Sequence, residues 1–214
     1  MAEDLSSYRK SYERNSLRID ESAQDPFDQF KKWFREVEDS EGVDEVNAMT
    51  VATIGKDGFP KSRVVLLKGY DNDGFVFYTN YSSEKGQAIQ ANPQVCLSFF
   101  WPNLERQVII KGTAEKVSQS QSEEYFHSRP KGSQLGALAS PQSEVIPGRE
   151  FLVERLHEFE EKYRDKMVKK PENWGGFRVK PHEFEFWQGR PNRLHDRVHY
   201  YVEANSWKRE TLAP

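Results

Sequence analysis

Short apolar runs separated by turn residues dominate this chain, and they restrict it to a β-rich fold. Residues 47–54 read as a strand that ends at Lys56-Asp57-Gly58, and residues 62–68 read as its hairpin return. Asp71-Asn72-Asp73-Gly74 makes a second turn before a strand over 75–79. Residues 95–101 and 106–117 form a further hairpin, and 176–212 return to strands. Helices are interposed. Asp25-Pro26 starts one that runs to about 39, with Phe27, Phe30, Trp33, Phe34 and Val37 on one face. Others are expected over 84–90, stopped by Asn92-Pro93, and over 120–127 and 148–166. The expected fold class is mainly β with added α-helices, an antiparallel barrel.

With 214 residues, one domain over 25–214 is expected. Residues 1–24 are polar and lack an apolar period, so they form either a flexible arm or a segment that folds over something. The 13% aromatic content argues against wider disorder. A net charge of −3 gives no global basic field, which speaks against nucleic acid as a partner and leaves anion binding to local clusters. No apolar run reaches membrane-spanning length and no apolar signal core is visible, so a cytoplasmic protein without membrane contact is expected. Cys96 is the only cysteine, which excludes an intrachain disulfide; Val95 and Leu97 beside it suggest a buried, inert thiol. P-loop, GxGxxG, CxxC and HExxH patterns are missing. His195 and His199 would suit a metal only on a helix, and their region reads as strand, so no metal is expected.

Cationic segments carry the chemistry. Arg63-Val64-Val65-Leu66-Leu67-Lys68 is either a core strand with solvated ends or a strand whose cations reach an anion. Asn80 to Lys85 leads into a helix N-terminus, where Ser82 or Ser83 caps, or hydroxyls, free N–H groups and Lys85 bind an anion. In Tyr125-Phe126-His127-Ser128-Arg129-Pro130-Lys131-Gly132-Ser133, Tyr125 and Arg129 would share a helix face, and Arg129, Lys131 and Ser133 form either a phosphate clamp or a polar helix end. In the run from Glu185 to Arg197, an extended Arg193–Arg197 would point Arg193, His195 and Arg197 to one side, which is either a face suited to a flat anionic ligand or a solvated polar edge strand.

The pieces RVVLLK, FYTN, ERQV, YFHSRPKGSQLGA, SPQS, WGGFRV, EFWQG and RLHDR occur in the order found in the pyridoxamine 5′-phosphate oxidase family, which the chain resembles from about residue 47 to 214. The resemblance implies the FMN-binding split β-barrel and a homodimer with FMN at the subunit interface. It implies an oxidase that converts pyridoxine 5′-phosphate or pyridoxamine 5′-phosphate to pyridoxal 5′-phosphate while O2 becomes H2O2. A flavin reductase of the same fold, or a non-catalytic binder of FMN or pyridoxal phosphate, is the alternative. FMN would be held by Arg63, Val64, Val65, Leu66, Leu67, Lys68, Tyr78, Thr79, Lys85, Gln107, Gln142, Ser143, Trp187 and Arg197. Substrate would be held by Lys68, Tyr125, Arg129, Ser133, Arg193, Leu194 and His195, with Arg9, Lys10, Ser11 and Tyr12 closing over it; Arg193 and His195 would be catalytic. One position departs from the family: Ser83-Glu84-Lys85 stands where Ser-Arg-Lys is usual. A carboxylate would repel a phosphate there, so either Glu84 turns away to solvent, the outcome expected, or the cofactor binds less tightly.

Overall fold

The computed structural model describes residues 3–214. Helix α1 (Pro26–Glu38) begins where the Asp25 carboxylate accepts the Phe27 N–H at 2.7 Å and Pro26 supplies the first-turn φ. The helices that follow are α2 (Glu84–Ala91), α3 (Gln119–Ser128), α4 (Lys131–Ala139) and α5 (Arg149–Lys162). The strands are β1 (Ala48–Ile54), β2 (Pro60–Leu66), β3 (Gly69–Asp71), β4 (Gly74–Asn80), β5 (Gln94–Trp101), β6 (Arg106–Lys116), β7 (Trp174–Gln188), β8 (Asp196–Glu203) and β9 (Ser206–Thr211). They form one sheet in the order β2-β1-β5-β6-β7-β4-β3, with β8 paired to β7 and β9. The pairs β3–β4, β4–β7, β7–β8 and β8–β9 are antiparallel.

By its contacts the chain divides into two compact units. The first comprises the chain up to Thr50 with Cys96–Lys111 and Pro181–Pro214. Its core is the apolar face of α1: Phe30 meets Phe99 at 5.1 Å between ring centroids, Trp33 meets Phe186 at 5.3 Å, and all four are buried. The second comprises Val51–Val95 and Gly112–Lys180. It is built on Phe75, Phe77, Phe177 and Val179 of β4 and β7, with a smaller cluster of Phe126, Leu135, Val168 and Trp174 under α3 and α4. Gly74 opens β4 at φ +134°, and a Cβ there would lie 2.1 Å from the Val179 carbonyl oxygen, so both the turn and the β4–β7 approach require glycine.

Three expectations are corrected. Arg193–Arg197 is not extended: Pro191–Arg193 forms a 3₁₀ turn with Asn192 and Arg193 at φ +58° and +61°, and β8 starts only at Asp196. The residues in that stretch therefore do not alternate between faces. Helix α4, read from sequence as part of a polar segment, exists because Leu135 buries in the Phe126–Trp174 cluster and Ala137 and Leu138 pack against it, despite Gly132 and Gly136. Cys96 is half-buried, because Val95 and Leu97 occupy the opposite, core-facing side of β5; burial still pushes its thiol pKa up.

Candidate active site

A cavity of about 650 Å³ opens in the second unit between β2, β4 and the α3–α4 connection. β2 ends the sheet order and most of it is exposed, with Val64 69% accessible, so this is no core strand. Val64, Val65, Leu66 and Lys68 line the cavity, while Leu67 turns into the core. Tyr78, Thr79, Lys85, Gln142, Tyr125, Arg129 and Ser133 complete the predicted set found on its wall. Ser143, at φ +75°, is not among the lining residues.

Lys85 lines the cavity, and Arg63 lies near enough for the two charges to act on each other. Lys85 Nζ donates to Thr79 Oγ1 at 2.8 Å and to Gln142 Oε1 at 3.4 Å. Arg63 Nη1 donates to Thr53 Oγ1 and to the Lys61 carbonyl, both at 2.7 Å. Among the described residues neither forms an ion pair. Burial holds the Lys85 pKa below the ordinary lysine value, and the nearby Arg63 guanidinium pushes it the same way. Burial also lowers the Arg63 pKa, against a smaller opposing pull from Glu84. Glu84 itself pairs with Lys61 at 2.5 Å on the exposed side, and Ser83 Oγ caps α2 by accepting the Gly86 N–H at 3.2 Å.

An aromatic wall faces them. Tyr78 stacks on Tyr125 at 3.8 Å, Trp174 stacks on Tyr78 at 5.6 Å, and the Arg129 guanidinium sits 4.7 Å over the Trp174 ring. α3 stops at Ser128 and Arg129 is extended, so Tyr125 and Arg129 meet at the cavity rather than along one helix face. Arg129 Nη2 donates to the Ser133 carbonyl at 2.8 Å, and Nη1 is buried with no hydrogen-bond partner. A half-buried guanidinium with one buried, unpartnered donor at a cavity wall is matched by an anion. Trp174 and Thr53 were not foreseen; WGGFRV was noted only as a motif, and nothing marks Thr53 in sequence.

The remaining predicted residues belong to the first unit, where Tyr12, Trp187 and His195 meet. The Trp187 and His195 rings are 4.7 Å apart, and Tyr12 approaches both edge-on at 5.8 and 5.9 Å. His195 Nδ1 accepts the Arg190 N–H at 3.0 Å, which in the neutral ring leaves the proton on Nε2. Arg197 forms a fork with Glu185, both contacts at 2.9 Å, and donates to the Ala213 carbonyl at 2.7 Å. The Glu185 carboxylate raises the Arg197 pKa. Leu194 is 69% exposed, and Gln107 Nε2 donates to Ser98 Oγ at 3.2 Å. In the arm, Lys10 pairs with Glu105 at 3.3 Å, Arg9 Nε donates to the Ser6 carbonyl, and Ser11 Oγ to Glu13. Among the described residues no group of three or more His, Cys, Asp or Glu side chains is placed to hold a metal ion, and no helix is long and apolar enough to cross a membrane.

Residues 36–163 match the family described as pyridoxamine 5′-phosphate oxidase, and residues 174–214 match the pyridoxine 5′-phosphate oxidase C-terminal dimerisation region. The chain belongs to the pyridoxamine 5′-phosphate oxidase family. It is 60% identical over 211 residues to the pyridoxine/pyridoxamine 5′-phosphate oxidase of Flavobacterium johnsoniae, covering 98% of this chain and 99% of the relative. It is 55% identical to that of Christiangramia forsetii over the full length of both. Among solved structures, PhzG from Burkholderia lata, in complex with tetrahydrophenazine-1-carboxylic acid, superposes with a TM-score of 0.86 at 27% identity, covering 94% of this chain and 98% of that one. An FMN-binding, pyridoxamine 5′-phosphate oxidase-related protein from Nostoc punctiforme has a TM-score of 0.71 at 16% identity over 90% of this chain and 100% of that one, which shows a shared fold. That fold is the mainly β split barrel of the family, as expected.

Proposed function

We propose that the chain is an FMN-dependent oxidase in vitamin B6 metabolism. It converts pyridoxine 5′-phosphate or pyridoxamine 5′-phosphate to pyridoxal 5′-phosphate, with O2 reduced to H2O2, in the cytoplasm. The observation that carries this reading is the pair of cationic positions at one cavity: Lys85 on its wall with Arg63 close enough to act on it, and Arg129 with its unpartnered Nη1. Cofactor and substrate each bring one phosphate, and the two cationic positions would take one each.

These residues fit FMN. Arg63 and Lys85 take its phosphate, while Val64 to Lys68, Tyr78, Thr79, Gln107, Gln142, Ser143, Trp187 and Arg197 hold the rest. When bound, FMN accepts the hydride equivalent removed from the substrate's C4′ carbon and passes the electrons to O2. The working unit is a homodimer with FMN at the interface between copies, a reading supported by the match to the dimerisation region.

Arg129, Tyr125, Ser133 and Lys68 hold the substrate phosphate. The planar Arg129 fork, set on the Trp174 ring, fixes the direction of its donors. Arg193, Leu194 and His195 orient the ring end of the substrate. Neutral His195 donates from Nε2 to a substrate oxygen or nitrogen, because the Arg190 N–H already occupies Nδ1. Residues 9–12 close over the occupied site and exclude water.

The test is anaerobic addition of pyridoxamine 5′-phosphate to FMN-reconstituted protein. Bleaching of the flavin absorbance is the expected result. Bleaching by a nicotinamide donor alone would favour a reductase, and no bleaching by either would favour a binder.

A further inference from the structure

The carboxylate of Glu105 is the point on which the arm is fastened. Glu105 is 2% exposed and sits in the turn before β6 at φ +57°. Its Oε2 accepts two consecutive arm N–H groups, of Glu13 at 2.9 Å and Arg14 at 3.1 Å, and its Oε1 pairs with Lys10 Nζ at 3.3 Å. Its own carbonyl accepts the Gly189 N–H at 2.7 Å, which ties the same turn to the end of β7. Gly189 leaves the space that the arm enters: a Cβ there would lie 2.8 Å from Tyr12 Cγ and 3.1 Å from Glu105 Cβ. Two lesser ties follow along the chain, Arg190 Nη1 to the Asn15 carbonyl at 2.9 Å and the Leu17 N–H to Asp196 Oδ2 at 2.9 Å.

We propose that Glu105 is a positioning residue for the oxidase reaction: by gripping residues 10–14 it seats Tyr12 on Trp187 and His195. This rests on the proposed function in one respect, that the arm covers bound substrate. A carboxylate receiving two backbone N–H groups and an ammonium makes charge-assisted bonds, and burial strengthens them. Without that grip the arm would keep only the two lesser ties and few apolar contacts, and residues 10–14 would open more readily. Glu105 touches neither substrate nor flavin; it acts through Tyr12.

The experiment compares the holoprotein with Glu105→Gly and Gly189→Ala. Glycine suits the left-handed backbone at 105 and preserves the carbonyl tie, so the first variant removes the grip alone. The second keeps the carboxylate and crowds Tyr12, at 2.8 Å, more closely than Glu105 Cβ, at 3.1 Å. Tryptic cleavage after Lys10 and Arg14 should be at least about tenfold faster in Glu105→Gly, since one charge-assisted bond is worth that factor and three contacts are lost. In both variants KM for pyridoxine 5′-phosphate should rise by roughly the same factor with kcat much less changed, as expected when closure over substrate is impaired. Flavin content and melting temperature should match the wild type. Wild-type cleavage rates in Glu105→Gly would overturn the proposal. So would a fall in melting temperature and flavin content parallel to the kinetic loss, since that is the result of a merely structural residue. If the wild type does not turn over the substrate, the proposed function fails, while cleavage still reads the grip.

Discussion

Lys61 Nζ lies 2.5 Å from Glu84 Oε2, so the carboxylate that acts on Arg63 and precedes Lys85 is held by a cation of its own. Both side chains are more than half exposed, and such a pair is worth about 0–1 kcal/mol. Its consequence is for cofactor binding. Lys61→Ala should free Glu84 to oppose the FMN phosphate and raise the FMN Kd by up to about fivefold, following that energy scale. The double variant Lys61→Ala, Glu84→Ala should bind as the wild type does. Fluorescence titration of FMN decides; an unchanged Kd in the single variant would remove Glu84 from the phosphate's neighbourhood.

Lys85 makes flavin retention depend on pH. Its pKa is depressed in the folded protein, so the unfolded chain binds more protons between the folded value and that of a free lysine. Across that window the flavin-free protein gains stability as pH rises, because the cost of a buried ammonium is relieved. FMN binding runs the other way: its phosphate needs the ammonium, so affinity falls as pH passes upward through the depressed pKa. Lys85→Arg should flatten the fall, whereas Lys85→Ala should lose about tenfold or more at neutral pH. Equilibrium dialysis against FMN over alkaline pH measures both.

His195 offers a donor rather than a base in its neutral form, since Nδ1 is occupied by the Arg190 N–H. His195→Gln, which keeps an N–H at the end of the side chain, should retain more turnover than the similarly sized His195→Leu. Loss of one such hydrogen bond is worth about tenfold in kcat/KM. Equal activity of the two variants would contradict the donor role.

At Arg129 the geometry, more than the charge, is the requirement. The guanidinium sits 4.7 Å over the Trp174 ring with Nη1 unpartnered, and a lysine ammonium does not reproduce the fork. Arg129→Lys should raise KM for pyridoxine 5′-phosphate by about tenfold with FMN still bound, the loss expected for one bidentate contact. Steady-state kinetics with a flavin assay on the same sample checks it.

Much of this was legible in the residues, and the misses have physical causes. The Asp25-Pro26 cap with its 3.6-residue apolar period announced α1, and the Asp/Gly turns announced the hairpins, because both signals are local. Helix α4 was missed because Gly132 and Gly136 weaken its intrinsic preference, and what holds it is packing against Trp174, distant in sequence. Arg193–Arg197 was misread as extended because alternating charge imitates a strand; Pro191 and the left-handed Asn192 and Arg193 turn the chain instead. The motifs located the cationic positions at Arg63, Lys85 and Arg129. They gave no role to Glu105 within ERQV, since its partners are backbone N–H groups of the arm, to which sequence patterns are blind.

The most direct test of the account is oxygen uptake by FMN-reconstituted protein supplied with pyridoxine 5′-phosphate, with the aldehyde and the peroxide measured together. Pyridoxal 5′-phosphate and hydrogen peroxide should appear in equal amounts, matching the oxygen consumed, and Arg193→Ala should abolish most of the turnover while retaining its flavin. A yellow protein that binds the substrate but consumes no oxygen would contradict the oxidase reading.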